Sequence, residues 1–484
     1  MWKLKVLDPG PQFCGLPVSK IKMLKKSILF GVISFLFFSF KSETVTELPR
    51  LQISANHRYF TADGKPFFWL GDTGWLLFTK LKREEAEQYL DTRSKQGFNV
   101  IQVMVLHGSG DVNAYGDSAL VNKNITIPKI TAGNAFGKGD EYDYWDNIDW
   151  VISKAAEKGL YVAMVPVWGS VVKGAHINAE QAKVYAAFLG KRYKGRSNVI
   201  WMNGGDIAGS DSTKVWNAIG NTLHALDPAD LITYHPRGRT QSSTWFHDQP
   251  WLSFNTFQSG HRNYSQDTTK KDLHYGEDNW RYVKADYNKN PIKPTLDAEP
   301  SYEKIPYGLH DITLPRWTDA DVRRYAYWSV FAGACGYTYG NNDVMQMHKP
   351  TDKHSAYGSK GYWYQSINDP GAQQMRYLKK LMLSRPYFER VPDQSLIAAG
   401  QGEKYDRLIA TRGKNYAFVY TYNGREMPIN TEKLAAKKIK ASWYNPRDGQ
   451  ITTIGEFDKS NKLDFNPPGQ KKNGNDWVLI LDAI

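Results

Sequence analysis

Two carboxylates each follow a predicted buried strand, a placement that would suit paired acid–base and nucleophilic chemistry. Asp206 ends the stretch 198–206, in which Val, Ile, Trp and Met precede two glycines. Glu299 lies in the stretch 293–300, where polar and apolar residues alternate. The first stretch is typical of a strand in a parallel sheet covered on both faces. Because glycoside hydrolysis requires carboxyl groups on opposite sides of the scissile bond, we predict Asp206 as acid/base and Glu299 as nucleophile.

Side-chain alternation in the second stretch predicts where its acidic residues point. In an extended strand, Thr295, Asp297 and Glu299 share one face. We expect this face to point into a barrel, with Glu299 nearest the mouth and Asp297 about 7 Å deeper. The assigned roles predict a retaining reaction, with the two carboxyl groups about 5 to 5.5 Å apart. A lone carboxylate more often pairs with Arg or caps a helix, but paired positions at strand ends favour catalysis.

Further polar and aromatic residues fall at or just after predicted strand ends, where they could form hydrogen bonds and stacking contacts with a sugar. The predicted substrate-binding residues are Asp72, Trp75, His107, Trp168, Asn203, His235, Gln258, His261, Tyr302, Tyr339 and Asn341. Gly204 and Gly205 are expected to leave room for the sugar, since they lack Cβ atoms. The histidines lack the close spacing of metal ligands, so we predict neither a metal nor another cofactor.

The order of the predicted elements determines the expected fold. The predicted strands are 66–73, 99–106, 160–168, 198–206, 231–235, 251–257, 293–300 and 336–342. The predicted helices are 83–96, 146–158, 179–193, 213–226, 278–288, 319–334 and 372–383. This alternation predicts an α/β protein with a (β/α)8 TIM barrel. An open doubly wound sheet is the alternative, but it would require a Gly-rich phosphate-binding turn, which the sequence lacks.

The segments flanking the barrel have different patterns. Residues 43–66 predict a small N-terminal β-cap with a hairpin turn at Asp63-Gly64, and residues 67–392 form the predicted barrel. Residues 393–484 contain short alternating segments separated by turns, which predict an all-β sandwich. We expect this module to pack against the barrel and stabilise it. The long polar segment 108–143 is expected to lie at the barrel mouth and to shape specificity.

Residues 1–42 are predicted to be an upstream extension and a signal peptide. Lysines precede the 14-residue apolar run 27–40, which is short for a membrane span. A signal peptide at about residues 23–42 predicts a periplasmic or secreted protein with no stable membrane span after cleavage. An uncleaved N-terminal anchor is the alternative, because no clear cleavage site is present.

Composition and net charge limit the kinds of binding partner that the protein could have. The 484 residues are 41% hydrophobic and 14% aromatic, as expected for a globular protein with a large core. Residues 43–484 contain 55 basic and 48 acidic residues, a net charge of +7. The basic residues are scattered and no nucleic-acid motif accompanies them, so we predict an oligosaccharide or polysaccharide substrate and no nucleic acid. The two cysteines lie at positions 14 and 335, which leaves no disulfide after signal cleavage.

Several short motifs resemble the apiosidase-like proteins of glycoside hydrolase family 140, a family built on a domain-of-unknown-function 4038 barrel. The likeness covers about residues 48–390 and is carried by the segments 68–75, 203–206, 257–261, 297–300 and 338–340. The tail resembles a module named for collagen binding, on the segments 443–449, 465–469 and 476–479. The resemblance implies a (β/α)8 enzyme that releases apiose-linked side chains from rhamnogalacturonan II, a pectin. In it, Asp206 and Glu299 match the family's catalytic positions after strands four and seven.

A non-catalytic alternative belongs to a different functional class. The chain could be a carbohydrate- or collagen-binding surface protein in which the β-module binds the ligand. The paired carboxylates at strand ends argue against this interpretation for the whole chain. The sequence leaves the sugar, the linkage and the oligomeric state open.

Overall fold

The computed structural model describes residues 47–269 and 273–484. The predicted upstream extension and signal peptide, residues 1–42, lie outside the described residues. The strands are β1 Leu51–Ile53, β2 Phe60–Ala62, β3 Lys65–Phe67, β4 Trp69–Thr73, β5 Val100–Met104, β6 Tyr161–Val165, β7 Val199–Ile207, β8 Ile232–Pro236, β9 Thr240–Gln241, β10 Asn255–Gln258, β11 Thr295–Asp297, β12 Gly336–Tyr339, β13 Val391–Pro392, β14 Leu408–Arg412, β15 Tyr416–Thr421, β16 Met427–Ile429, β17 Lys438–Tyr444, β18 Ile451–Asp458, β19 Leu463–Phe465 and β20 Trp477–Ala483.

The helices lie mainly between the strands of the first 390 residues. They are α1 Leu77–Lys80, α2 Arg83–Lys95, α3 Tyr144–Glu157, α4 Gly169–Gly174, α5 Ala179–Arg192, α6 Thr213–Leu226, α7 Ser243–Phe246, α8 Trp280–Tyr287, α9 Asp319–Phe331, α10 Asn342–Met345, α11 Trp363–Ser366 and α12 Pro370–Leu383. Polar side chains fix several of their first turns. Asp143 accepts N–H bonds at the start of α3, and Thr318 does the same at α9.

The central sheet is a nearly closed barrel. Its strand order is β8-β7-β6-β5-β4-β12-β11-β10, all parallel, and β9 adds antiparallel to β10. Individual hydrogen bonds, rather than a continuous ladder, bridge the gap between β8 and β10. Ser253 N–H donates to Ile232 O and Thr233 Oγ1 donates to Phe254 O, each at 2.7 Å. The predicted TIM-barrel fold is thereby confirmed.

The N-terminal strands form a three-stranded antiparallel sheet that packs against the barrel. Asp63 and Gly64 connect β2 and β3 with φ of 49° and 71°, as the predicted hairpin turn requires. Phe60 of β2 packs edge-on against Phe254, which precedes β10, with ring centroids 5.1 Å apart. This sheet therefore shares the barrel's hydrophobic core.

The C-terminal module consists of antiparallel strands in two unequal layers. A six-stranded sheet, β13-β14-β15-β20-β17-β18, lies beside the two-stranded ribbon β16-β19. Successive side chains of β15 point to opposite faces of the sheet and so belong to two different cores. Ala417 and Val419 face the module's own core, whereas Phe418 and Tyr420 join the core shared with the barrel.

Helix α9 provides much of the contact between barrel and module. Tyr327 stacks on Tyr420, with ring centroids 4.8 Å apart and planes inclined by 13°. Arg323 Nε lies 2.9 Å from Asp476 Oδ2, and both side chains are buried. Removing one partner of such a buried ion pair typically costs about 3–5 kcal/mol of folding free energy. The sheet face that meets α9 is therefore covered by the barrel, as expected for a stabilising module.

Among the described residues, no helix is both long enough and apolar enough to cross a membrane.

Candidate active site

A cavity of about 720 Å³ opens at the carboxyl ends of the barrel strands. Its volume lies within the range of about 300–1,000 Å³ common for small-molecule sites. It brings together both predicted carboxylates and six of the predicted substrate-binding residues. Those lining its wall are Asp206, Glu299, Trp75, His107, Trp168, Gln258, His261 and Tyr302.

Two histidines hold the carboxylate of Glu299 just beyond the end of β11. His261 Nε2 lies 3.0 Å from Oε1 and forms a hydrogen bond with it. His235 Nε2 lies 3.2 Å from Oε2, in a less direct orientation. His235 is itself fully buried and sits edge-on to Trp75, with ring centroids 5.3 Å apart. His235 is a predicted substrate-binding residue, but the structure places it behind Glu299 as a support.

Asp206 projects from an irregular end of β7. The pairing of β7 with β8 shifts register between Gly204 and Ile207. Asp206 has a φ of 50°, a left-handed conformation that is uncommon for residues other than glycine. Its side chain is open to the cavity, although the concave wall surrounds it on most sides. The bulge thus aims a single carboxylate into the cavity.

The two glycines before Asp206 fit closely against protein atoms, which corrects the expectation that they make room for a sugar. A Cβ on Gly204 would lie 2.6 Å from the backbone oxygen of His235, and one on Gly205 would lie 2.6 Å from the Trp168 ring. Their φ values of 93° and 110° also favour glycine. The glycines are therefore required by the bulge and by the packing of Trp168.

The environments of the two carboxyl groups push their pKa values in opposite directions. The enclosing cavity wall limits the solvation of the Asp206 carboxylate and, together with the negative charge of Glu299, raises the pKa of Asp206 to about 6. Burial also tends to raise the pKa of Glu299, but its polar contacts and charge interactions with His235 and His261 outweigh this effect and lower its pKa to about 2. Near pH 5, one group is therefore protonated and the other ionised.

The predicted orientation of the β11 side chains is wrong for two of the three residues. Thr295 Oγ1 donates to Asp286 of α8 at 3.0 Å, and Asp297 Oδ2 accepts from Asn279, just before α8, at 3.1 Å. These side chains therefore face the helices. The strand ends at Asp297, so its alternation no longer applies at Glu299, which turns into the cavity.

Four other predicted substrate-binding residues have protein partners and do not line the cavity. Asp72 is fully buried and pairs with Arg93 at 2.7 Å. The other three likewise bond to protein groups: Asn203 Nδ2 donates to Trp216 O at 2.7 Å, Tyr339 Oη donates to Glu303 at 2.5 Å and Asn341 Nδ2 donates to Asp369 at 2.8 Å. The sequence pattern identified strand ends but not which way each side chain points.

Several cationic residues of the wall were missed by sequence reasoning. Arg237 and Arg239 follow β8, and Arg262 follows His261 after β10. Their positions two to five residues beyond predicted strands were the available signal. Arg239 pairs with Asp267 at 2.7 Å, whereas the side chains of Arg237 and Arg262 are largely exposed.

The segment 108–143 contributes none of the side chains that line this cavity, although all of its residues are described. It instead helps to form a separate cavity of about 210 Å³ with α4 and α5. The expectation that it shapes specificity at the mouth therefore finds no support in these contacts. Segments 305–310 and 345–357 supply several of the residues that line the cavity.

Within the described part of the chain, no group of three or more His, Cys, Asp or Glu side chains is arranged to hold a metal ion.

Comparisons with known proteins place this geometry in a family. The sequence profile described as "Apiosidase-like, catalytic domain" matches residues 54–389. The chain belongs to the apiosidase-like family. The profile described as "Putative collagen-binding domain of a collagenase" matches residues 391–482 of this apiosidase-like protein. Among curated proteins, no match was found.

Two solved structures are similar to the apiosidase-like chain over most of its length. A glycoside hydrolase shares 48% identity with a TM-score of 0.85, over 90% of this chain and 97% of that one. A protein described as glycoside hydrolase family 5 from Bacteroides vulgatus shares 45% identity with a TM-score of 0.85, over 90% and 95% of the two chains. The protein is therefore a glycosidase with a carbohydrate substrate.

Proposed function

We propose that this protein is a retaining glycoside hydrolase in which Asp206 is the acid/base and Glu299 is the nucleophile. The main support for this proposal is that one cavity holds two carboxyl groups whose pKa values differ, at about 6 and about 2. Separated pKa values of this kind distinguish the acid from the nucleophile in carboxylate pairs. Membership of the apiosidase-like family supports the same roles.

Each group has a defined part in the proposed reaction. Glu299, ionised and oriented by His261, attacks the anomeric carbon while Asp206 donates its proton to the departing oxygen. Asp206 then takes a proton from water, which attacks the anomeric carbon and releases Glu299. Trp75 and Trp168, with ring centroids 5.3 Å apart, offer apolar faces for a sugar ring.

The proposed substrate is a plant cell-wall polysaccharide, with apiose-linked side chains of rhamnogalacturonan II as the specific target. The family profile supports apiose. The exposed guanidinium groups of Arg237 and Arg262 at the cavity support an acidic polymer such as a pectin, because they are free to meet its carboxylates. The apolar run preceded by lysines in residues 23–42 supports a periplasmic or secreted location.

Digestion of rhamnogalacturonan II fragments tests the reaction and its stereochemistry together. We expect release of an apiose-containing product whose anomeric configuration, followed by ¹H NMR in the first minutes, is that of the substrate. Other pectins and neutral glucans serve as controls for specificity. Initial release of the opposite anomer would overturn the nucleophile role of Glu299, and cleavage of the neutral glucans alone would overturn the proposed substrate.

The pH dependence of kcat/KM should follow the two carboxyl groups. Activity requires Asp206 protonated and Glu299 ionised, so we expect kcat/KM to fall about tenfold per pH unit above about 6, where Asp206 loses its proton. No loss from protonation of Glu299 is expected until the pH approaches about 2. Initial rates between pH 3.5 and 9 provide the measurement. A rate that rises steadily from pH 6 to 8 would contradict the assignment of Asp206 as the acid.

A further inference from the structure

A buried ion pair lies where the C-terminal module meets the barrel. Arg324 of α9 and Glu277, three residues before α8, are both fully buried, with Nη1 and Oε2 2.5 Å apart. Rings from both domains surround the guanidinium: Tyr325 and Trp328 come from the barrel, and Tyr405 and Tyr422 from the module, with centroids about 5 Å from Cζ. The module therefore completes the burial of this pair.

Glu277 also accepts two hydrogen bonds that join the module to a barrel loop. Tyr405 Oη of the module donates to Oε1 at 2.8 Å. The backbone N–H of Tyr264 donates to the same oxygen at 3.2 Å. The Tyr264 and Tyr405 rings also meet edge-on, with centroids 5.5 Å apart. One carboxylate thus connects the two domains.

The loop held in this way, residues 260–267, is part of the candidate active site. His261 in this loop bonds to Glu299, and Arg262 lines the cavity. The far end of the loop is held by the residue before Glu277, because Gly276 N–H donates to Asp267 at 2.8 Å. Asp267 in turn pairs with Arg239, another residue of the cavity wall. The 260–267 loop is therefore bound to the segment that contains Glu277 at two points, Tyr264 in its middle and Asp267 at its far end.

We propose that Tyr405 is a positioning residue through which the C-terminal module fixes the 260–267 loop, and with it His261, against Glu299. This inference rests on the proposed function, since it assigns a consequence for catalysis to the position of His261. It also gives the module a role beyond stabilising the barrel. The module's contact lies behind the cavity wall, so Tyr405 acts through Glu277 and not on the substrate.

Another tyrosine provides a matched control for Tyr405. Tyr444 Oη also crosses from the module to the barrel, where it donates to Tyr377 O at 2.8 Å. Tyr377 lies on α12 and is absent from the cavity wall. Replacing either tyrosine by Phe removes one hydroxyl and keeps the ring. A purely stabilising module would respond to both changes in the same way.

The experiment compares Tyr405→Phe, Tyr444→Phe and the wild type as full chains. We expect Tyr405→Phe to lower kcat about 2- to 30-fold, with a smaller change in KM, because remote residues of a coupled network typically alter function by such factors. Tyr444→Phe should keep kcat within about twofold of the wild type. Hydrogen exchange, measured without substrate, should show faster exchange in residues 260–267 of Tyr405→Phe only.

The outcomes separate this inference from the proposed function. Equal kcat values and equal exchange in the two variants, with an active wild type, would overturn the positioning role and leave the proposed function intact. Failure of the wild type to cleave the glycan would overturn the proposed function, whereas faster exchange confined to Tyr405→Phe would still support the loop contact. Equal losses of kcat in both variants would indicate a purely stabilising module and overturn the inference.

Discussion

Glu299→Gln is expected to lower kcat on rhamnogalacturonan II fragments by on the order of 10⁴- to 10⁶-fold, the range seen when a covalent nucleophile is removed. The substitution keeps the size of the side chain and an oxygen that can accept from His261, 3.0 Å away in the wild type. It removes the negative charge that attacks the anomeric carbon. Single-turnover rates, together with product analysis, provide the measurement.

Asp211→Asn is the matched control for this substitution. Asp211 also lines the cavity, but its side chain is exposed. We expect kcat to stay within about tenfold of the wild-type value, as for a surface charge without a partner in the reaction. A loss in Asp211→Asn as large as that in Glu299→Gln would contradict the assignment of the nucleophile.

Glu299→Gln should also change the ionisation of its partner. The charge of Glu299 contributes to raising the pKa of Asp206 to about 6. Without that charge, Asp206 should titrate at a lower pH, which ¹³C NMR of its carboxyl group can follow. An unchanged titration would show that the two groups are not electrostatically coupled.

Asp206→Ala is expected to lower kcat on the natural substrate by about 10²- to 10⁴-fold, the usual contribution of general acid–base catalysis. The loss arises because a sugar oxygen is a poor leaving group unless it is protonated. An aryl glycoside with an acidic phenol needs little protonation, so formation of its glycosyl–enzyme should be nearly unaffected. The decline in kcat/KM above pH 6 should disappear in this variant.

Azide distinguishes the proposed roles of the two carboxylates. In Asp206→Ala it should attack the glycosyl–enzyme without base assistance and give a glycosyl azide of retained configuration. In Glu299→Ala it should replace the missing nucleophile and give the inverted azide from an activated substrate. The reverse pattern would exchange the two assignments, and unchanged turnover in both alanine variants would remove both residues from the mechanism.

The sequence predicted the order of helices and strands well, because each element depends on the periodicity and the turn residues of its own short segment. Helix α6 runs over 213–226, as its periodicity and the Asp227-Pro228 stop predict. The predicted strand at 251–257 instead begins at Asn255, because Trp251 lies in a turn that packs against α6 and α7. Apolar periodicity indicates burial, but it does not distinguish a buried turn from a strand.

The sequence by itself determined that this chain forms a barrel with a trailing β-module, and that Asp206 and Glu299 lie at the ends of the fourth and seventh strands of the barrel. Only the tertiary structure decided that Asp297 faces the helices, that His235 supports Glu299 from behind, and that Tyr405 reaches Glu277 from the other domain. The physical reason is the difference in sequence range of the interactions involved. Strand and helix periodicity is a local property, whereas the orientation of a side chain beyond a strand end depends on bulges and on contacts with residues distant in the sequence.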